Sequence, residues 1–88
     1  MKYNPYEILA SPVMTEAAFD LIERENKLSF NVHREATKKQ IKQAFEELFE
    51  VKVRKVNTMI RANGIKLAYI RLMDDQDAMD IAMKLGMF

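Results

Sequence analysis

Lys27-Leu28-Ser29-Phe30-Asn31-Val32-His33, followed after Arg34-Glu35-Ala36 by Thr37-Lys38-Lys39-Gln40-Ile41-Lys42-Gln43-Ala44-Phe45-Glu46-Glu47-Leu48-Phe49, decides the fold. In the first half Leu28, Phe30 and Val32 alternate with polar residues, the period of two that marks a strand with one buried face. In the second half Thr37 and Gln40 form a T-x-x-Q capping box. Ile41, Ala44, Phe45, Leu48 and Phe49 then recur at i, i+3, i+4, i+7 and i+8, the stripe of a helix lying on a core. A strand thus hands over to a helix that packs back on a sheet.

Working toward the N-terminus, Thr15 can cap an earlier helix, with Glu16 in its first turn complementing the helix dipole. Ala18, Leu21 and Ile22 supply its apolar face, with Phe19 beside them, and Glu23 to Asn26 end it. Before it, Pro5 and Pro12 bracket Ile8-Leu9-Ala10, an edge strand or extended lead-in.

Toward the C-terminus, Val51 and Val53 alternate, and Val56, Thr58 and Ile60 continue on the opposite parity. That switch predicts a bulge or kink at Arg54-Lys55. Asn63-Gly64 is a hairpin signal, and Lys66 to Met73 is the returning strand. A two-residue turn would put Val56 on the same face as Arg71. A three-residue loop, Asn63 to Ile65, instead pairs 60 with 68, 58 with 70 and 56 with 72, keeping the apolar residues together. Asp74-Asp75 then opens a closing helix with Ala78, Ile81, Ala82 and Leu85, and Gly86 is placed as its C′ residue. The order is (β)αβαββα. An α+β fold follows, a small antiparallel sheet with helices packed on it, as one domain over residues 1–88.

Composition narrows the class. Of 88 residues, 49% are hydrophobic and 31% charged, which is too apolar for a disordered polar chain. The longest unbroken apolar run, Leu67 to Ile70, falls far short of the roughly 20 residues of a membrane helix. Met1-Lys2-Tyr3-Asn4-Pro5 has no apolar stretch of a signal peptide behind it. Without cysteine there is no disulfide framework, zinc ribbon or thiol chemistry. The expectation is a soluble intracellular domain with no membrane insertion and no cofactor.

The net charge of +1 conceals a segregation. Met1 to Glu23 carries one lysine against four acids, and Leu72 to Phe88 carries Lys84 against four aspartates, a net of −3 for each end. Between them, Arg24 to Arg71 holds twelve Lys and Arg against five acids, a net of +7. A basic middle between acidic ends says more about partners than the total.

Catalytic chemistry has little to work with. His33, the single histidine, has no cysteine or second histidine to join it, and reads as a solvated or RNA-facing side chain. Asp74, Asp75, Asp77 and Asp80 lack the glycine and terminal glutamate of a calcium loop, and two of them suit a helix first turn. Gly64 and Gly86 are the only glycines, so no phosphate loop exists. The chain reads as a non-enzyme.

The basic middle works against local stability. Lys38, Lys39 and Lys42 crowd the start of the second helix, where the dipole favours anions, and Glu46, Glu47 and Glu50 crowd its end. Either a solvated face tolerates this, or the lysines face a polyanion. On the non-core face of the hairpin, Lys55, Asn57, Met59 and Arg61 lie opposite Leu67, Tyr69, Arg71 and Met73. Basic residues interleaved with an aromatic can contact phosphates and stack on bases. Alternatively the closing helix covers Met59, Leu67 and Tyr69 and leaves the charges at the rim. From the residues alone the reading is an RNA-binding domain, with a protein-interaction module using its sheet face as the rival.

In the order of its motifs the chain resembles the universal large-subunit ribosomal protein number twenty-three family, in its archaeal form. The residues that carry the resemblance run from Ser11-Pro12-Val13-Met14-Thr15-Glu16 through Glu25-Asn26-Lys27-Leu28-Ser29-Phe30-Asn31-Val32 and Ala36-Thr37-Lys38-Lys39-Gln40-Ile41-Lys42. They continue with Leu48-Phe49-Glu50-Val51-Lys52-Val53, Lys55-Val56-Asn57-Thr58, Ala68-Tyr69-Ile70-Arg71-Leu72, Ile81-Ala82 and Leu85-Gly86. The resemblance implies a non-catalytic, cytoplasmic component of the large ribosomal subunit that binds large-subunit rRNA beside the nascent-chain exit tunnel. It also implies a small helical ribosomal protein as neighbour, and docking of the signal recognition particle, chaperones and the protein-conducting channel. Carried over residue by residue, Thr37, Lys38, Lys39 and Lys42 form one rRNA-contacting patch, and Arg54, Lys55, Asn57 and Thr58 another. The neighbouring basic residues Arg34, Arg61, Lys66 and Arg71 extend them. Glu16 matches the exposed glutamate that bacterial relatives offer to the exit-site chaperone. Two departures stand out. Arg61-Ala62-Asn63-Gly64-Ile65 is too short for the long tunnel-lining tip of bacterial members, and Ile65, Leu67, Met79 and Met83 are apolar where archaeal relatives often carry polar residues.

Overall fold

A computed structural model describes residues 4–87. The chain begins in a single helical turn, α1 (Pro5–Ile8), set by Asn4, whose side chain accepts the Glu7 N–H at 2.9 Å, and by proline at its first position. The expected strand at Ile8–Ala10 therefore starts one residue later, as β1 (Leu9–Pro12). Its proline is tolerated because β1 lies at an edge of the sheet, whose order is β1-β2-β4-β3 with every neighbouring pair antiparallel.

Helix α2 (Glu16–Glu25) is capped by Thr15, whose hydroxyl accepts the Ala18 N–H at 3.1 Å. It stops at Asn26, which takes the left-handed conformation at φ 55°. The Asn26 amide then ties three chain segments together. Its Nδ2 donates to the Met73 and Gln76 carbonyls at 3.3 and 2.9 Å, and its Oδ1 accepts the Ala78 N–H at 2.8 Å. Asn26→Ala is expected to cost about 2 kcal/mol, since it strands those partners and strains the backbone. Asn26→Gly should recover the backbone part only, so urea unfolding should rank wild type above Gly above Ala.

Strand β2 (Lys27–Val32) leads into α3 (Lys38–Phe49) as the period change requires. The capping box is reciprocal, with Gln40 N–H donating to the Thr37 hydroxyl at 3.1 Å and Thr37 N–H to Gln40 Oε1 at 3.0 Å. At the far end Glu46 Oε2 accepts the Val53 N–H at 2.9 Å, so one of the acids placed against the dipole holds the turn into the next strand.

Strands β3 (Val53–Ile60) and β4 (Lys66–Leu72) form the hairpin. The bulge falls where parity predicts it. Val53 faces Leu72 and Lys55 faces Arg71, leaving Arg54 as the extra residue, and this returns Val53 and Val56 to one face. The loop has three residues, but they are Ala62 to Gly64 and not Asn63 to Ile65. Arg61 N–H donates to the Ile65 carbonyl at 2.9 Å, closing the pair outside the loop, and Gly64 at φ 85° supplies the left-handed residue in the last loop position. Residue 60 therefore pairs with 66, 58 with 68 and 56 with 70. The shift from the expected register is two residues, so every side chain keeps its expected face.

Helix α4 (Ala78–Lys84) begins later than expected. Asp77, not Asp74-Asp75, is its cap, accepting the Met79 N–H at 3.0 Å. It ends in a Schellman motif, with Met87 N–H donating to the Ala82 carbonyl, Gly86 N–H to that of Met83, and Gly86 at φ 75°.

The core lies on one sheet face. Leu28, Phe30, Val56, Ala68, Ile70 and Leu72 are covered there by Ile41, Ala44 and Phe45 of α3 and by Ala78, Ile81 and Ala82 of α4. The opposite face has its own cover, and it is not the closing helix. Ala17, Ala18 and Leu21 of α2 meet Ser29, Leu67 and Tyr69 around a cavity of about 70 Å³, while Met59 stays exposed. The physical reason is that the apolar stripe of α4 is spent in the main core, whereas α2 presents Ile22 to that core and Ala18 to the other side. Among the described residues no helix is long and apolar enough to cross a membrane.

Candidate nucleic-acid interface

The hairpin divides the expected contact residues into two groups. On the outer sheet face, away from the core, Lys55, Asn57 and Arg71 come together, with Lys27 and Tyr69 as their cross-strand neighbours. Arg61 is on the same face but at the hairpin tip, past the far end of β3 from Lys55. Lys27 pairs with Arg71 from the β2 side, and Tyr69 lies beside Asn57. Lys27 escapes a reading along the chain because its neighbour is distant in sequence. Its signal is its place at a polar parity position of β2.

The second group lies at the β2–α3 turn and the start of α3. Lys38, Lys39 and Lys42 are exposed on the first turns of the helix, next to Thr37. The Thr37 hydroxyl is engaged as the cap, so its first task is to start the helix that carries the lysines. Lys66 Nζ donates to the Ala36 carbonyl at 2.6 Å and to that of Arg34 at 3.4 Å, pinning the turn to the hairpin. Arg34 reaches the loop itself, since a Cβ on Gly64 would lie 3.8 Å from its Nη1. Thr58 shares the core-side face of the hairpin with Lys66, so neither belongs with Asn57 and Arg71. Arg54, at the bulge, stands apart and pairs with Asp74 at 3.5 Å, both well exposed.

His33 builds the turn before α3. Its Nδ1 accepts the Glu35 N–H at 3.1 Å and its backbone N–H donates to the Ile8 carbonyl. Of the four aspartates between Asp74 and Asp80, Asp77 caps α4 and Asp74 pairs with Arg54, and no group of three or more His, Cys, Asp or Glu could hold a metal ion among the described residues. Glu16 is exposed in the first turn of α2, near the exposed Met14.

Two basic surfaces on either side of a β-hairpin, carried by a small α+β sheet, are the surface chemistry of a protein that meets a polyanion. Comparison with known proteins narrows that class to a ribosomal one. The model of the family described as ribosomal protein L23 matches residues 7–79, and the chain belongs to that family of structural ribosomal proteins, not enzymes. The chain is similar to the large ribosomal subunit protein uL23 of the archaeon Methanothermobacter thermautotrophicus, at 48% identity over 85 residues, which are 97% of this chain and 99% of that protein. It is also similar to the proteins of the same name from the yeasts Cyberlindnera jadinii and Saccharomyces cerevisiae, at 49% and 46% identity over 97% of this chain. The chain spans 60% of the length of each yeast protein.

Proposed function

We propose that this chain is a cytoplasmic, structural component of the large ribosomal subunit that binds large-subunit rRNA through the two basic surfaces flanking its hairpin. The reading rests above all on the near full-length similarity to an archaeal protein named for the large subunit. The segregated charge gives it a mechanism. Lysines 38, 39 and 42 on one side of the hairpin, and Lys55, Arg61 and Arg71 on the other, neutralise phosphates and release counterions. Asn57 sits beside these cations, where it can meet riboses or bases, while Tyr69 is partly covered by α2. Arg34, Thr37, Arg54, Thr58 and Lys66 complete the contact set, partly by holding the turn and hairpin in position.

In the same proposal the protein sits beside the mouth of the nascent-chain exit tunnel, next to a small helical ribosomal protein. It acts there as one domain that gives the signal recognition particle, chaperones and the protein-conducting channel a place to dock. Glu16, exposed at the start of α2, offers its carboxylate to such a factor. The short hairpin loop leaves the tunnel wall to other components.

Sedimentation tests the reading directly. In a gradient that keeps ribosomes intact, the native protein is expected with the large subunit, and high salt should release it. A protein that stays in the soluble fraction at low salt would sink the ribosomal assignment and favour a protein-interaction module using its sheet face.

A further inference from the structure

Among the described residues Ser29 is the one polar residue buried in the fold, at 3% exposure. Its Oγ has no hydrogen-bond partner among them. It lies on β2, opposite Tyr69 of β4, and borders the cavity of about 70 Å³ under α2. The other walls are mostly apolar, with Val13, Ala17 and Leu21 on one side and Leu67 and the Tyr69 ring on the other. Thr15 also borders the space, but its hydroxyl is spent on the Ala18 N–H. Arg61, exposed at the hairpin end of the cavity, makes no ion pair among the described residues. Such a space has room for roughly five water molecules, yet only Ser29 and Arg61 offer side-chain hydrogen bonds, too few to hold that many.

From this cavity we infer a pocket for a single unstacked nucleobase, with the base edge on Ser29 Oγ and a base face against Tyr69. The inference rests on the reading of the chain as an rRNA-binding protein, and adds to it a base contact made by Ser29 and its apolar neighbours instead of by cations. The walls select the occupant. A phosphate would lose its water among apolar side chains, against a single cation, and buried charge is costly on those terms. An aliphatic side chain of a protein would fill the space but leave the Ser29 hydroxyl unpaired, as it is now. A base has a flat apolar body and an edge of donors and acceptors, and a hydroxyl can serve either kind. Tyr69 suits its face, since stacking on an aromatic ring accepts any base. The Tyr69 hydroxyl rests on Met59 Sδ at 3.6 Å, and Met59 does not line the cavity, so the ring itself is the wall. Arg61 stays at the rim, in water, beside the backbone of the same nucleotide.

Ser29→Ala and Ala17→Leu test the pocket without touching a charge. Ala17 is exposed on α2 and leucine is a good helix former, so Ala17→Leu should fold while blocking the cavity. Binding to protein-stripped large-subunit rRNA is measured across a salt series, with the melting temperature of each protein. Ser29→Ala should bind about two- to tenfold more weakly, the worth of one hydrogen bond. Ala17→Leu should bind about five- to a hundredfold more weakly, the worth of one stacked base. Both should keep the wild-type salt slope, since no phosphate contact is lost. Ser29→Ala should melt at or above the wild-type temperature, because it removes an unpaired buried hydroxyl. Chemical probing should show one unpaired base that wild type protects and that Ala17→Leu leaves reactive. Wild-type affinity in both variants, or a salt slope that falls with them, would overturn the base pocket and leave the ribosomal reading standing. So would a photo-crosslinker at Met14, between Val13 and Thr15, that joins protein and no rRNA in native large subunits. Failure of the wild type to bind the RNA at all would instead remove the reading beneath it.

Discussion

Phe45→Ala is expected to lower stability by about 3–5 kcal/mol, the usual range for emptying a fully buried aromatic site. Phe45 is fully buried and anchors a three-ring cluster. It meets Phe30 edge-on with centroids 5.8 Å apart at 80°, and Phe49 at 4.6 Å and 47°. Phe30 belongs to the sheet and the other two to α3, so this contact holds the decisive helix onto the decisive strand. At this chain length total stability is only about 4–13 kcal/mol, so the loss is a large part of it. Thermal unfolding should show a midpoint about 12–40 °C lower. Phe49→Ala is the useful comparison, since Phe49 lies at the edge of the core with part of its surface in water, and should lose clearly less. A loss below about 1 kcal/mol for Phe45→Ala would mean that the helix docks through other contacts.

The same contact explains why so much of the fold was legible. Leu28, Phe30 and Val32 alternate because one face of β2 is buried, and the stripe through Phe45 repeats at helical spacing because one face of α3 covers it. The bulge at Arg54 was legible for a related reason: Val53 and Val56 must share a face, and an odd spacing requires one extra residue. Loop frame was harder. Asn63-Gly64 looks like the centre of a turn, but the geometry asks for a left-handed residue at the end of a three-residue loop, and Gly64 provides it there. The single turn of α1 has no room for periodicity, so Asn4 and Pro5 were its only signals. The double role of α2 lay beyond reach for a different reason, since Ala18 and Ile22 read as one stripe until the sheet lies between the surfaces they cover. For the interface, Lys38, Lys39 and Lys42 were legible as misplaced charge on one helix. Lys27 depended on strand order, which brings β4 between β2 and β3 and sets Arg71 beside it.

Lys38→Glu/Lys39→Glu/Lys42→Glu separates binding from folding on the helical surface. Three charge-assisted contacts at about 1.5 kcal/mol each correspond to a loss of affinity on the order of a thousandfold for large-subunit rRNA. The salt slope should fall by about three as those phosphate contacts vanish. Stability should move the other way or stay level. Positions 38 and 39 lie in the first turn of α3, where acids gain roughly 0.3–1 kcal/mol each from the helix dipole. Turning the Lys42–Glu46 attraction, one turn apart, into repulsion returns only about 0.4–1 kcal/mol. The capping box of Thr37 and Gln40 is untouched, so the helix start remains fixed. A variant that melts at or above the wild-type temperature yet no longer binds RNA shows that these lysines are kept for the polyanion at the expense of their own helix. Unchanged affinity together with an unchanged salt slope would place the RNA elsewhere, and leave the reversed charge of α3 as a tolerated feature of a solvated face.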